Sequence, residues 1–327
     1  MNHYLRFVLH KLIEGIPLIL GVTLVSFVLM VYFGPDLTYE LLGKNPSESD
    51  IIEVRQMLGY DQPFWWRYLA YLQELLTFDF GLSMVKDQPV ADMLSRAIPV
   101  SLALMLPGFV LGNLLAVMLA MAAARHRGAW QDRAIMSGAV LGMSISFLVI
   151  IIAFQVIFAS SYGLNWFPVR GWQVQDAQGQ FNTMAYLNHV TVPTLATVFV
   201  SLGYNTRFYR AVLVEELHKD HITTATAYGH KPVTIMYKYM LKNALIPIIT
   251  RVMFSIPMIV ISGSLLIESY FGIPGIGLIT YEAIMAGDQP VLKAVVGLTA
   301  VLFVVVLMVA EILYQLADPR INGGSGT

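Results

Sequence analysis

The chain has 327 residues, of which 57% are hydrophobic and 13% charged, where soluble domains run about 45–50% and about 25%. The formal net charge of -1 says little, because the charges are segregated along the chain, and no nucleic-acid partner is expected. There is no cysteine, which excludes disulfides and thiolate metal sites.

The apolar residues fall into six runs, near 8–33, 98–124, 134–160, 190–213, 247–268 and 291–316. Each is long enough to cross roughly 30 Å of hydrocarbon, and helices are expected because lipid offers backbone groups no other partner. Residues 1–33 read as an N-terminal segment and first span. That run is too long for a signal h-region and lacks a small-residue cleavage site. Pro17, Pro107, Pro193 and Pro257 lie at or inside spans, which membrane bundles tolerate.

Residues 34–97 form a long acidic loop with an amphipathic stretch, Ile51 to Leu58, and an aromatic group, Phe64-Trp65-Trp66. This composition suits helices lying at a membrane interface. Residues 98–318 then hold five spans, and 319–327 form a tail in which Gly323 to Thr327 reads as an appended linker.

Basic residues set the orientation. One side carries Arg6, Lys11, Arg125, Arg127, Arg133, Arg207, Arg210, Lys219, Lys231, Lys238, Lys242, Arg251 and Arg320; the other carries Lys44, Arg55, Lys86 and few more. Both termini and the segment 214–246 are therefore expected in the cytoplasm, and loop 34–97 outside.

Segment 214–246 carries the most information. Asp220 suits the N-cap of a short helix from His221 to Tyr228, Gly229 the left-handed residue after it, and Pro232 the first turn of a second helix. Thr223, Thr224, Ala225, Thr226 and Ala227 give the short helix a small-residue surface. Such a helix can sit in a groove on a soluble partner, or it can be an ordinary capped re-entry turn.

Asp220 to Gly229, followed at a fixed distance by Asn243-Ala244-Leu245-Ile246-Pro247, resembles the cytoplasmic "EAA" loop of binding-protein-dependent ABC importer permeases, in the form used by the peptide/nickel group. Arg210 and Glu215 match upstream. Pro17, Gly21 and Thr23 match near the start, as do Leu58-Gly59, Asp61, Pro63, Tyr68, Asp79, Gly81 and Ser83 in the outer loop, and Arg127-Gly128 with Asp132 in the first cytoplasmic loop. Glu268, Phe271, Pro274-Gly275 and Gly277 resemble the group's E-x-x-F-x-x-P-G-x-G signature, and Asp318-Pro319-Arg320 its ending. Thr223, Thr226 and Tyr228 depart from the basic residues common there, and Ser146 stands where the group often has proline.

The resemblance implies an all-α integral membrane protein of six transmembrane helices with the type I ABC importer permease fold, multi-pass in a bacterial inner membrane. It implies half of a path for peptides or a related solute: di- or oligopeptides, antimicrobial peptides, glutathione, nickel chelates or opines. The implied partners are a second, homologous permease subunit, two cytoplasmic ATP-binding subunits that hold ATP and magnesium, a periplasmic solute-binding protein and membrane lipid. No cofactor, metal or catalytic residue is expected in this chain, which has no G-x-x-x-x-G-K-[ST] phosphate loop. Coupling to the ATPase is assigned by the resemblance to Glu215, Asp220, Thr224, Ala225, Ala227, Gly229, Asn243 and Pro247. The gate or pore candidates are Glu268, Phe271, Pro274, Gly275, Gly277 and Arg251.

Other features have plainer alternatives. Glu14, Glu268 and Glu311 lie in or beside apolar runs, where carboxylates are functional candidates by default; snorkelling or helix pairing also accounts for Glu14 and Glu311, and Glu268 suits a gate or a structural role. Arg251 can pair or cap at the cytoplasmic mouth, or be a membrane-edge charge. His218 and His221 have a metal-compatible spacing but no surrounding ligand framework. Gly203, Ser255, Ser262, Gly263 and Ser264 mark close helix packing or a pore face. A secondary transporter would need paired ion sites or inverted halves, and no repeat is visible. A membrane scaffold would leave the capped loop without a purpose.

Overall fold

A computed structural model describes residues 3–33, 38, 42–43, 46–57, 59–176 and 178–317, with backbone alone at 3–12, 14, 30, 57, 261 and 262. Leu58, Lys44, Asp318-Pro319-Arg320 and the tail, with the side chains of Arg6, Lys11, Glu14 and Ser262, lie outside the described residues.

The described regular structure is helical apart from two isolated bridges, Leu82 with Pro89 and Gln175 with Phe181. In chain order the helices are α1 (His3–Phe33), α2 (Glu48–Met57), α3 (Phe64–Thr77), α4 (Val90–Arg125), α5 (Trp130–Ser144), α6 (Phe147–Phe158), α7 (Thr183–Glu216) and α8 (Asp220–Ala227). A continuous helical run follows: α9 (Pro232–Thr234), a π segment (Ile235–Leu241), α10 (Lys242–Met258), a second π segment (Ile259–Gly263) and α11 (Ser264–Phe271). The last elements are α12 (Ile276–Ala286) and α13 (Gln289–Ala317).

Among the described residues, α4, α7, α13 and the stretch Pro232–Met258 are long and apolar enough to cross a membrane, and α5 with α6 makes a fifth candidate if the pair counts as one span. In α1 the described apolar stretch is Gly15–Leu29. The span expected at 134–160 is bent by 99° between α5 and α6. Ile145 (φ -92°, ψ 133°) and Ser146 (φ -58°, ψ 138°) are both extended, so the helical ladder stops and restarts at a new angle.

The chain divides into two compact units. The first comprises 1–98 and 278–308, the second 99–277 and 309–327. In the first, Phe27 of α1 packs with Tyr68 and Tyr71 of α3, and the Thr23 hydroxyl lies 3.0 Å from that of Tyr68. Leu75, Phe80, Val90, Met93 and Leu94 pack with Ala283, Val291 and Ala294. The turn at Gly81 and Ser83 is clipped to the α12–α13 junction, where Ser83 Oγ donates to Asp288 Oδ2 at 2.5 Å.

The second unit has two cores. One joins Leu104 and Met105, Ile150 and Ile151, Val190, Val192 and Ala196, and Ile267, Phe271 and Ile273. The other joins Ala116, Ala120 and Ala124 of α4 to Tyr209 and Leu213 of α7, Ile222 of α8, and Met240, Ala244 and Ile248. Gly203 lets α7 approach α5 closely, since a Cβ there would stand 3.0 Å from Met143 N and 3.1 Å from Ala139 O.

Candidate functional site

The segment around α8 is built as a discrete piece. The helix begins one residue earlier than expected: Lys219 occupies the N-cap position with no side-chain bond, and Asp220 is the first helical residue. Asp220 is thus not the cap. Its carboxylate still lies in the first turn, where the partial positive charge of the helix end favours it. Lys219 is held instead by an ion pair with Glu216, and that hydrogen bond raises its pKa.

The C-terminus is a full Schellman arrangement. His230 N–H bonds Ala225 O at 3.2 Å, and Gly229 N–H bonds Thr226 O at 2.9 Å. Gly229 has φ +76°, a conformation that disfavours a side chain, and Pro232 opens the next helix as expected.

Ile222 and Ala225 are buried, at 6% and 3% exposure, and Ile222 seats α8 on the second of the two cores described above. Ala225 therefore belongs to the buried side of α8 rather than to an outward face. The outward surface comprises Thr223, Thr224, Thr226, Ala227 and Tyr228, all exposed. The hydroxyls of Thr224 and Thr226 bond back to Asp220 O and Ile222 O, so both are spent within the helix. Asn243 Nδ2 meets His221 Nε2 at 2.9 Å, tying α8 to the start of α10. His218 Nε2 lies 2.7 Å from Arg127 Nη1, and His221 Nε2 lies 3.6 Å from Glu216.

Two groups here were not apparent from the sequence. Glu216, not Glu215, is the buried carboxylate; Glu215 is exposed. Asp132 and Arg210 form a two-pronged pair, with Nε to Oδ1 at 2.5 Å and Nη2 to Oδ2 at 2.6 Å. Gly128 N–H adds a third bond to Asp132 at 2.9 Å. That pair fastens the start of α5 to α7, and the matched positions Gly128, Asp132 and Arg210 thus become one contact.

The second constellation surrounds Glu268, which is fully buried. Its Oε1 accepts from Ser101 Oγ at 2.6 Å and its Oε2 from Gly277 N–H at 2.7 Å. Ser101 Oγ in turn accepts from Ile276 N–H at 2.8 Å. Glu268 thus staples α4 and the Pro274-Gly275 turn to α11. A Cβ on Gly275 would fall 2.3 Å from Glu268 Oε2, and one on Gly277 would fall 2.3 Å from the Ser264 carbonyl carbon. Phe271 is buried beside them, and Gly272 turns the chain with φ +65°. Ser101 was not apparent from the sequence, because a serine in an apolar run gives no sign of its partner.

Arg251 is separate from both. It lies on α10 beside an open apolar recess of about 410 Å³ lined also by Phe208, Ile246, Pro247, Thr250 and Phe254. Pro247 thus belongs to this recess, whereas Asn243 belongs to the α8 contact.

Residues 112–323 match the family described as binding-protein-dependent transport system inner membrane component, and residues 4–105 match its N-terminal companion. The chain is 30% identical to the oligopeptide transport system permease protein AppB of Bacillus subtilis, over 97% of this chain and 99% of that one. It is 32% identical to the dipeptide transport system permease protein DppB of Lactococcus lactis, over 94% and 95%, and 34% identical to DppB of Bacillus subtilis, over 93% and 94%.

Proposed function

Because the chain belongs to the family of binding-protein-dependent transport system inner membrane components, we propose that it is the permease subunit of an ATP-driven importer of peptides. The observation that carries this reading is similarity to peptide permeases along nearly the whole chain. In this reading the chain crosses a bacterial inner membrane six times with both termini in the cytoplasm. It pairs with a second, homologous permease, receives peptide from a periplasmic binding protein, and catalyses nothing itself. Two partner subunits bind and hydrolyse ATP with magnesium, and their closure reaches the path through the outward face of α8.

The geometry of α8 supports such a lever. Its inner face is packed on α4, α7 and α10, so a push on its outer face loads helices rather than a loose loop. A two-state, rigid-body switch needs such a connection.

Because the chain has no cysteine, a Thr224→Cys variant carries a unique thiol on the α8 surface. In membranes holding the complete transporter, it is expected to crosslink to an ATP-binding subunit, and peptide uptake is expected to require ATP. Uptake that persists without ATP and follows an ion gradient would instead indicate a secondary transporter.

A further inference from the structure

Arg251 is the sole charge between Lys242 and Glu268. It stands four residues past Pro247, where the apolar run begins, roughly 6 Å of helical rise into that run. A charge inside an apolar run is a functional candidate by default.

The surroundings orient it. Asn113, Asn205 and Tyr209 are 9%, 7% and 0% exposed. Tyr209 Oη donates to Asn113 Oδ1 at 2.6 Å, and Asn113 Nδ2 donates to Phe109 O at 2.9 Å. Asn205 Nδ2 donates to Asn113 Oδ1 at 3.2 Å and to Ser201 Oγ at 3.0 Å. Asn205 Oδ1 is thereby left to accept from Arg251 Nε at 3.4 Å. The Phe208 ring lies under the guanidinium, 5.6 Å from centroid to Cζ.

Among the described residues no carboxylate pairs with Arg251, and its Nη1 and Nη2 make no hydrogen bond. The one hydroxyl among the lining residues, Thr250 Oγ1, donates to Ile246 O and accepts from Tyr314 Oη, both at 2.8 Å. The recess therefore has apolar walls and one cationic fork, whose Nε side is already engaged.

We propose that this recess is a subsite of the translocation path that takes the C-terminal carboxylate of the peptide on Nη1 and Nη2 of Arg251. The fork geometry of arginine matches a carboxylate with two parallel bonds. Phe208, Ile246 and Phe254 offer the adjoining residue an open apolar wall with no hydrogen-bonding group to select its side chain, which suits cargo of varied sequence. A single such contact is strong enough to admit a peptide and weak enough to release it. The inference rests on the peptide-importer reading, and the competing occupant is a carboxylate of the partner permease.

A Phe254→Cys variant places a unique thiol in the recess. Vesicles carrying the complete transporter with this variant would be treated with a water-soluble maleimide. The probes are a mixture of dialanine to pentaalanine and the same mixture amidated at the C-terminus. Free-carboxylate peptides at ten times their Kd are expected to slow labelling about tenfold, amidated peptides are expected not to, and Arg251→Gln in the same background is expected to abolish the protection. Equal protection by both mixtures, no protection by either, or a thiol inert without peptide would overturn the subsite. Uptake of the free mixture by the unaltered transporter separates the two readings: uptake without protection sinks the subsite alone, whereas absent uptake sinks the importer assignment.

Discussion

Two glycines in matched motifs are required for different reasons, and the difference predicts different failures. Gly229 has φ +76° with nothing within 4 Å of a would-be Cβ; the constraint is conformational. A Gly229→Val change costs on the order of 1–2 kcal/mol locally and redirects the chain between α8 and α9. The protein is expected to insert with little loss of thermal stability, while transport and transport-stimulated ATP hydrolysis by the complex fall sharply. Normal transport by that variant would reduce α8 to a turn. Gly275 is required for space, since its Cβ would stand 2.3 Å from Glu268 Oε2 and 2.4 Å from Ser101 Oγ. Gly275→Ala is therefore expected to lower the unfolding midpoint itself, by overpacking worth about 1–3 kcal/mol. Both positions were legible as members of motifs, but the Ser101–Glu268–Gly277 knot was not. Its members are 167 and 9 residues apart in sequence, and no periodicity links them.

At the scale of elements, runs of apolar residues located the helices well and their bends poorly. Hydropathy shows where backbone must be self-satisfied; it does not show where the ladder is interrupted. The break at Ile145–Ser146 falls inside an uncharged stretch, and the two π segments flank a helix holding Pro247 and Pro257, each of which removes a ladder donor. The short α8 was legible to within one residue because its stop, Gly229 and Pro232, is local chemistry. Its start was misplaced because an aspartate suits the N-cap and the first turn alike. The departure at Ser146 is informative. Its φ of -58° is the proline value, the preceding Ile145 is extended, and the serine hydroxyl makes no cap bond; its N–H makes no backbone hydrogen bond among the described residues. Proline is compatible with both dihedrals. Ser146→Pro is expected to raise stability by about 0.4–1 kcal/mol through a less flexible unfolded chain, with transport retained. A lower unfolding midpoint in detergent would show that the bend between α5 and α6 depends on a different local geometry.

At the scale of the whole molecule, the bend turns topology into a question of parity. If α1, α4, the α5–α6 pair, α7, the run from α9 to α11, and α13 each cross once, the crossings are six in number and the termini share a side. If the 99° bend sends α6 back without crossing, the number is odd and the termini part. The basic residues favour the even count. Arg125, Arg127 and Arg133 flank the α4–α5 junction, and Lys219, Lys231, Lys238 and Lys242 gather from the end of α7 to the start of α10, while the long loop before α4 spreads Lys44, Arg55, Arg67 and Lys86 over 34–89 and the segment between α6 and α7 holds Arg170. A reporter inserted near Ser47 is expected outside, one between Gln178 and Gln180 outside, and one fused after Arg320 inside. The middle reporter decides. Were it cytoplasmic, α5 and α6 would form a re-entrant hairpin, and the charge rule would then fail at either Arg127 or Arg320. Finding the Ser47 and Arg320 reporters on one side would overturn the six-span arrangement outright, and with it the cytoplasmic placement of α8 on which the coupling argument depends.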